Sequence, residues 1–369
     1  MRRGKADARI DCTRRGTPAD RLARARTRCS SAEPALSGVE EPALSGVEGR
    51  VHVWGASGYA AAELIRLLHA HPSFEIGVLE SQSHAGERLA DHFPLLRAAP
   101  YRFDASGSVL ATAMPDDVVI TAGVDEEARA IVPELLAGGV RVIDLSACYR
   151  FEAAAVYGLT EWYRDAIAGA QLVANPGCYP TAALLALLPL AELGTPRQVI
   201  IDAKSGITGA GRTPRVTSLY AEVSGDIRAY GLQGHRHQPE IERYLEAGGM
   251  ATGVTFTPHV VPLARGMLAD VYAIFDRPVD GAAVAAAYAR AYRDAAFVRV
   301  LSDGRAPSVA AVVGTSDAEL RVDAEGAVVR AICAIDNLGK GAAGQAIANL
   351  NLMCGYPEAT GLSARAIFA

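Results

Sequence analysis

The spacing of apolar and polar positions marks out the elements of this chain. Val51-His52-Val53-Trp54 has a short strand pattern, and a glycine-bearing turn, Gly55-Ala56-Ser57-Gly58-Tyr59-Ala60-Ala61, follows it. Glu63-Leu64-Ile65-Arg66-Leu67-Leu68 then places its apolar residues at helical spacing. Phe74-Glu75-Ile76-Gly77-Val78-Leu79 predicts a second strand, and Val118–Thr121 and Val140–Leu145 two more, with a helical segment at 125–137 between them. Strands that alternate with helices imply an α/β protein built on a doubly wound parallel sheet. Further on, Ala174-Asn175-Pro176-Gly177-Cys178-Tyr179-Pro180-Thr181 precedes a long apolar helical run over 182–192.

The order strand, glycine turn, helix is that of a Rossmann-type dinucleotide site. Glycines let the backbone approach a pyrophosphate, and the helix N-terminus meets its charge. Gly55, Ser57, Gly58 and Tyr59 are therefore candidate cofactor contacts, although the spacing G-x-x-G-x-x-A departs from G-x-G-x-x-G. The end of the second strand is where such folds meet the adenosine ribose. Glu80 there would suit the 2′-hydroxyl of NAD, whereas the hydroxyls of Ser81 and Ser83 suit a 2′-phosphate, and the reading adopted is NADP.

Composition narrows the field. The 369 residues hold 36 Lys or Arg and 41 Asp or Glu, 50% are hydrophobic, and the net charge is −5. That length suggests two domains, and the charge gives no basic excess for nucleic acid. No uninterrupted apolar run of membrane-spanning length occurs, so no membrane partner is expected. Residues 1–50 are set apart: the first thirty carry nine Arg, one Lys and three Asp, and EPALSGVE occurs at 33–40 and again at 41–48. With few large apolar side chains, this segment is expected to be a disordered extension. Only three lysines occur, Lys5, Lys204 and Lys340. The six cysteines, at 12, 29, 148, 178, 333 and 354, form no CxxC pair and match no Cys/His zinc spacing, so reduced thiols, a cytoplasmic protein and no metal are expected.

Candidate chemistry centres on Cys178. Pro180 suits a first helical turn, which puts Cys178 at a helix N-terminus, where partial positive charge favours thiolate. A nucleophilic cysteine needs a proton acceptor and donor. Gly234-His235-Arg236-His237-Gln238-Pro239-Glu240-Ile241 offers two imidazoles, with His237 preferred for acid–base work and His235 for orienting substrate.

These stretches resemble a known family. GASGY (55–59), DLSACYR (144–150), ANPGCYPT (174–181), SGITGAGR (205–212), GHRHQPEI (234–241), HVVPLARG (259–266) and DNLGKGAAGQA (336–346) are similar, in the same order, to motifs of the N-acetyl-γ-glutamyl-phosphate reductases of the aspartate-semialdehyde dehydrogenase superfamily. The resemblance implies a Rossmann domain over 51–177, completed by a C-terminal helix within 338–369, and an α+β catalytic and dimerisation domain over 178–337. It implies NADPH-dependent reductive dephosphorylation of an acyl phosphate through a cysteine thioester, in arginine biosynthesis, by a homo-oligomer, dimer or tetramer. Arg150 and Asn175 would hold the leaving phosphate. Ser205, Gly206, Gly209 and Asn337 would flank the nicotinamide. Arg265, by its charge and motif, would bind the substrate α-carboxylate. Lys204 and Lys340 would contact anionic groups or complete loops. Departures are Ala60-Ala61 for Thr-Gly, Cys148 for the family Asp, Thr160 for Pro, and Gly339 for a larger apolar residue. Two alternatives share much of this pattern: a reductase of carrier-protein-linked aminoadipyl phosphate, and a non-catalytic NADP-binding regulator, which would have no need of Cys178 or the histidines.

Overall fold

The computed structural model describes residues 49–362. The expected disorder of the amino-terminal segment lies outside them, apart from Gly49 and Arg50, which belong to the first strand. Strands β1 (Gly49–Trp54), β2 (Phe74–Glu80), β3 (Val118–Thr121), β4 (Arg141–Asp144), β5 (Val156–Tyr157) and β6 (Leu172–Ala174) form one parallel sheet in the order β2-β1-β3-β4-β6-β5. The order reverses between β1 and β3, where open α/β sheets bind ligands at the carboxyl ends of their strands. Helix α1 (Tyr59–His69) buries Leu64, Ile65 and Leu68 on the sheet. Helix α2 (Asp125–Ala137) opens with Asp125, Glu126 and Glu127, which favour the positive end of its dipole. A third helix, α3 (Thr160–Ala168), leads to β6.

The chain then enters helix α4 (Cys178–Leu187), which starts four residues before the apolar run and gives way to a 3₁₀ turn at Leu188. Every α4 residue after Cys178 is buried, so the helix lacks a polar face and serves as the spine of the second domain. It lies against a seven-stranded mixed sheet made of β7 (Gln198–Gly206), β8 (Arg228–Ala229), β9 (Val254–Val261), β10 (Met267–Ile274), β11 (Val298–Val300), β12 (Ala318–Glu325) and β13 (Val328–Ile335), ordered β11-β12-β13-β10-β7-β9-β8. Strand β10 alternates strictly, burying Met267, Ala269, Val271 and Ala273 on the core face. Helices α5 (His237–Ala247) and α6 (Gly281–Ala291) cover the same face. Tyr288 on α6 and Tyr292 just beyond it donate their hydroxyls to the carbonyls of Ala186 and Leu185, satisfying the end of α4.

After β13 the chain returns to the first domain through a π-helical turn, Gly339–Ala343, that continues as α7 (Gly344–Met353). The i→i−5 bonds run from Gly341 N–H to the Asp336 carbonyl and from Ala343 N–H to the Leu338 carbonyl, both 2.9 Å. A Cβ on Gly339 would stand 2.1 Å from the Thr315 carbonyl oxygen, so on this path only glycine fits. Ala346, Ile347 and Leu350 of α7 join the core of the parallel sheet with Leu64 and Ile143. Among the described residues no helix is long and apolar enough to cross a membrane.

The π turn carries Lys340, whose side chain has no exposed surface and whose Nζ lies 2.5 Å from Glu161 Oε1, itself 2% exposed. Breaking a buried ion pair from one side leaves a bare charge in a dry interior. Lys340→Met is therefore expected to destabilise the protein by about 3–5 kcal/mol in urea unfolding. Lys340→Met/Glu161→Leu should regain most of that loss, and a double variant no better than the single one would refute the pairing.

Candidate active site

Cys178 occupies the first position of α4, with Gly177 as the N-cap in extended conformation. The turn before it is held from below by a carboxylate the sequence reading did not assign. Glu240, on the first turn of α5, is 1% exposed. It accepts the Gly177 N–H at 2.9 Å, the Tyr157 hydroxyl at 2.8 Å and Arg150 Nη1 at 3.0 Å. His237 lies one turn earlier on the same face of α5 and is 6% exposed. Its Nε2 presses on Gly177: a Cβ there would come within 2.6 Å of it and within 2.9 Å of Arg150 Nη1. Gly177 is thus what lets the imidazole approach the residue beside the nucleophile. On the other side, Gly341 of the π turn abuts Cys178, where an added Cβ would meet the Cys178 Cβ at 2.8 Å.

Burial dominates the protonation of this group. It pushes the Cys178 thiol up to about 11, and the Tyr179 backbone N–H and the charges of Arg150 and Arg236 recover only part of the shift. The expectation that a helix start makes a resting thiolate is corrected here: desolvation outweighs the terminal dipole. Burial, then Arg150, His235 and Arg236, hold the His237 imidazole well below its usual value. Burial and then Arg236 bring His235 down to about 4. Thiol and imidazoles are all neutral at rest. His235 is half-buried and accepts the His237 N–H on Nδ1 at 3.2 Å, so its Nε2 carries the proton. Its ring packs edge-on against Tyr179, Tyr230 and Phe256.

Several residues assigned to substrate stand elsewhere. Arg150 is 4% exposed, and its guanidinium also bonds the carbonyls of Asn175 at 2.9 Å and Leu145 at 2.9 Å. It is a clamp on the turn beneath Cys178 rather than an open anion site. Asn175 is 1% exposed and donates to the Ala342 carbonyl at 3.2 Å while accepting from Asn349 at 3.0 Å, which ties the turn to α7. Arg265 is held between Glu63 of α1 and Asp336, with Nη2 at 3.1 and 2.6 Å from their oxygens. Lys204 pairs with Asp202 and Asp270 at 2.9 and 2.8 Å. All three cations are engaged by protein carboxylates, as Lys340 is. Arg236, flanked by the two histidines, is exposed and has no ion-pair or hydrogen-bond partner among the described residues. Its charge reaches Cys178 and both imidazoles. In the sequence it stands only as the residue between two histidines, with nothing in the spacing to mark its lack of a partner. Cys148, in place of the family Asp, is buried and its N–H bonds Ser146 Oγ at 3.2 Å, a packing position away from the thiol chemistry.

The dinucleotide cleft opens at the switch point. Gly55 has φ +79°, and a Cβ on it would meet Gly123 N at 2.7 Å, so the turns after β1 and β3 touch only because both are glycine. Gly58, the N-cap of α1, faces open space, and Tyr59 is exposed. Glu80 is turned inward, where its two oxygens accept the N–H groups of Gly107 at 3.0 Å and Val109 at 2.8 Å. Ser81 Oγ is buried without a partner, and Ser83 is exposed. An orphaned hydroxyl and a carboxylate already bonded to backbone amides at the ribose position fit NADP. The second glycine turn closes the cleft from the other domain. Arg212 Nη1 donates to the Ser57 carbonyl at 3.1 Å. Asn337 donates to Thr208 Oγ1 at 3.0 Å and accepts the Gly266 N–H at 2.7 Å, while Gly206 N–H bonds the Gly266 carbonyl at 2.8 Å. Gly209 lies over Ser205, where a Cβ would be 3.1 Å from Ser205 Oγ. Ser205, Gly206, Gly209 and Asn337 are thus brought together.

Comparison with known proteins agrees with this architecture. Residues 50–170 match the family model described as semialdehyde dehydrogenase, NAD binding domain, and residues 178–337 the one described as semialdehyde dehydrogenase, dimerisation domain. A protein of Desulfotalea psychrophila named N-acetyl-gamma-glutamyl-phosphate reductase is 41% identical over 345 residues, covering 86% of this chain and 99% of its own. One of the same name from Geobacter metallireducens is 43% identical over 343 residues, with the same coverage of both chains. Among solved structures, aspartate semialdehyde dehydrogenase II from Vibrio cholerae, complexed with ASA, aligns with TM-score 0.66 at 17% identity over 82% of this chain and 97% of that one. Aspartate semialdehyde dehydrogenase with NADP from Candida albicans aligns with TM-score 0.62 at 17% identity, covering 82% and 98%. These two share the fold. The chain belongs to the semialdehyde dehydrogenase family, in the group of its N-acetyl-gamma-glutamyl-phosphate reductase relatives.

Proposed function

We propose that this protein reduces N-acetyl-γ-glutamyl phosphate to the 5-semialdehyde with NADPH, releasing phosphate, as a step of arginine biosynthesis. The observation that carries the reading is the convergence of Cys178, at the start of α4, with the His237 imidazole against the residue before it. The relatives at 41% and 43% identity supply the substrate.

The chemistry runs as follows. Arg236, a cation with no partner among the described residues, takes the phosphate of the substrate. The arriving anion favours imidazolium and so raises the basicity of His237. His237 Nε2 accepts the thiol proton as Sγ attacks the acyl carbon. A C–S bond forms, the C–O bond to phosphate breaks, and phosphate leaves with the bonding pair. Backbone N–H groups at the start of α4 face the oxyanion that develops, since a first helical turn has no internal partners for them. The product on Cys178 is a thioester, a carbonyl activated toward reduction. NADPH, when bound, supplies the hydride equivalent that carbonyl needs. His237 then returns its proton as the C–S bond breaks and the aldehyde departs. His235, with its proton on Nε2, orients substrate. Arg150 and Asn175 hold the turn rigid instead of binding phosphate, and Arg265 ties the domains together. Gly55, Ser57, Gly58 and Tyr59 would hold the pyrophosphate, Ser81 and Ser83 the 2′-phosphate, and Ser205, Gly206, Gly209 and Asn337 the nicotinamide side.

The protein is further read as a cytoplasmic homo-oligomer, dimer or tetramer. The dimerisation-domain match supports this, together with the exposed apolar side chains of Val216, Leu219, Tyr220, Ile227 and Leu232 on one segment. The four cysteines among the described residues are free.

Three outcomes are expected. Cys178→Ala abolishes NADPH oxidation by the acyl phosphate while NADPH binding, followed by fluorescence, persists; retained turnover would remove Cys178 from this role. Arg236→Gln raises KM for the acyl phosphate about tenfold or more, the value of one charge-assisted bond, with a smaller change in kcat; an unchanged KM refutes the phosphate assignment. Iodoacetamide inactivation of the substrate-free enzyme rises with pH through a midpoint above about 8.5, the free-thiol value, because the neutral form is favoured by burial. A midpoint below that value would mean that the helix dipole prevails after all.

A further inference from the structure

A second cluster of chemically capable side chains lies on the segment that follows β2, outside the catalytic set. His84, Glu87 and His92 bring one ligand atom each to a common point, all three within 4.8 Å of one another. His84 Nδ1 is 3.4 Å from Glu87 Oε2, and His92 Nε2 bonds the same oxygen. Two imidazoles and a carboxylate that already converge form a ligand set that zinc takes, and the His84–Glu87 separation is that of neighbouring ligands. For zinc–ligand bonds near 2.0–2.1 Å, neighbouring ligand atoms are about 3.3 Å apart.

The backbone builds this arrangement in advance. Gly86, at φ +81°, allows the tight turn in which Glu87 N–H bonds the His84 carbonyl at 3.0 Å. The turn is sewn to the neighbouring strand-like segment through Gly86 N–H to the Phe103 carbonyl at 2.8 Å and Phe103 N–H to the Glu87 carbonyl at 3.0 Å. Arg102 Nη1 adds a bond to the Gly86 carbonyl at 2.8 Å. Both imidazoles rest on the buried Phe103 ring, at 5.7 and 5.4 Å, and lie 4.2 Å from each other.

We propose that His84, Glu87 and His92 bind one divalent transition-metal ion, zinc being the best match, with a fourth position open to water. Imidazole donors select zinc, nickel, cobalt or copper over magnesium and calcium, which prefer oxygen. Cys and His spacings alone do not mark this H-x-x-E-x-x-x-x-H set, and the proposal departs here from the expectation of no metal. The ion has a structural part to play. The His92 carbonyl accepts from Arg212 Nη2 at 3.3 Å, and the same guanidinium holds the Ser57 carbonyl of the cofactor turn. Fixing His92 therefore stiffens the rim of the dinucleotide cleft that carries Ser81 and Ser83.

The test is calorimetric titration of zinc chloride into the full chain after chelator treatment, in a Cys178→Ala background so that the catalytic thiol cannot recruit metal. One ion per chain is expected, with no comparable heat from magnesium chloride. His84→Asn/His92→Asn should weaken binding by more than about tenfold, the least that disturbing a metal site usually costs. Glu87→Gln, which leaves both rings on Phe103, should weaken it as well, and circular dichroism establishes that each variant is folded. Cobalt loaded in place of zinc should give visible d–d bands without a sulfur-to-metal band. Absence of stoichiometric zinc binding, affinity unchanged in both variants, or a thiolate signature would each overturn the proposal.

Discussion

The catalytic half of this protein depends on one buried carboxylate. Glu240 collects an amide N–H from the turn before the nucleophile, a phenol from β5 and a guanidinium from the loop after β4. Each bond joins α5 of the second domain to the carboxyl edge of the parallel sheet. A buried anion is tolerable only when it is paired and saturated with donors, and here all three donors come from the wall of the site. The same carboxylate sits one helical turn from His237 on a shared face, so holding Glu240 also sets the height of the imidazole over Gly177. Cys178, His237 and the turn between them are thus located by one carboxylate.

The parallel sheet and the nucleotide turn were legible because their signals are local. Glycines at 55 and 58 between an apolar strand and an amphipathic helix state the geometry within fifteen residues. Cys178 was legible for the same reason, since Pro180 and Gly177 write a helix start into the sequence around it. What could not be read was pairing over long distance. Arg150, Arg265, Lys204 and Lys340 looked like four cations available for anions, and each has a carboxylate waiting far along the chain: Glu240, Glu63 with Asp336, Asp270, and Glu161. Spacing says nothing of such partners. The protonation of Cys178 was misjudged for a related reason: a helix terminus is visible in sequence, whereas desolvation depends on α5 and the π turn closing over it.

Neutralising those cations changes the electrostatic logic of the site. With Arg150 and Arg265 already paired, an acyl phosphate would meet Arg236 as an arginine that has no partner among the described residues. Burial favours the neutral thiol and imidazoles as well, which keeps thiolate, the reactive form, scarce at rest. Under the proposed mechanism, activation would come from the substrate, whose anion would shift the proton balance of His237. A site of this kind is selective by charge: an uncharged ester would bring the carbonyl without the field needed to free the nucleophile.

The position of the π turn explains how both domains enforce this arrangement at once. Gly341 packs on Cys178, Ala342 receives Asn175, and Asp336, five residues before Gly341, receives Arg265, which also grips Glu63 on the cofactor helix α1. A regular α-helical turn would withdraw one residue from this stretch and rotate everything after it by about 100°, moving Gly341 off the sulfur or Asn349 off Asn175. The extra residue lets a helix whose apolar face belongs to the first domain also present a glycine to the nucleophile of the second. Rigid-body opening between the domains would have to break the Arg265 bridge and the Asn175 contact together.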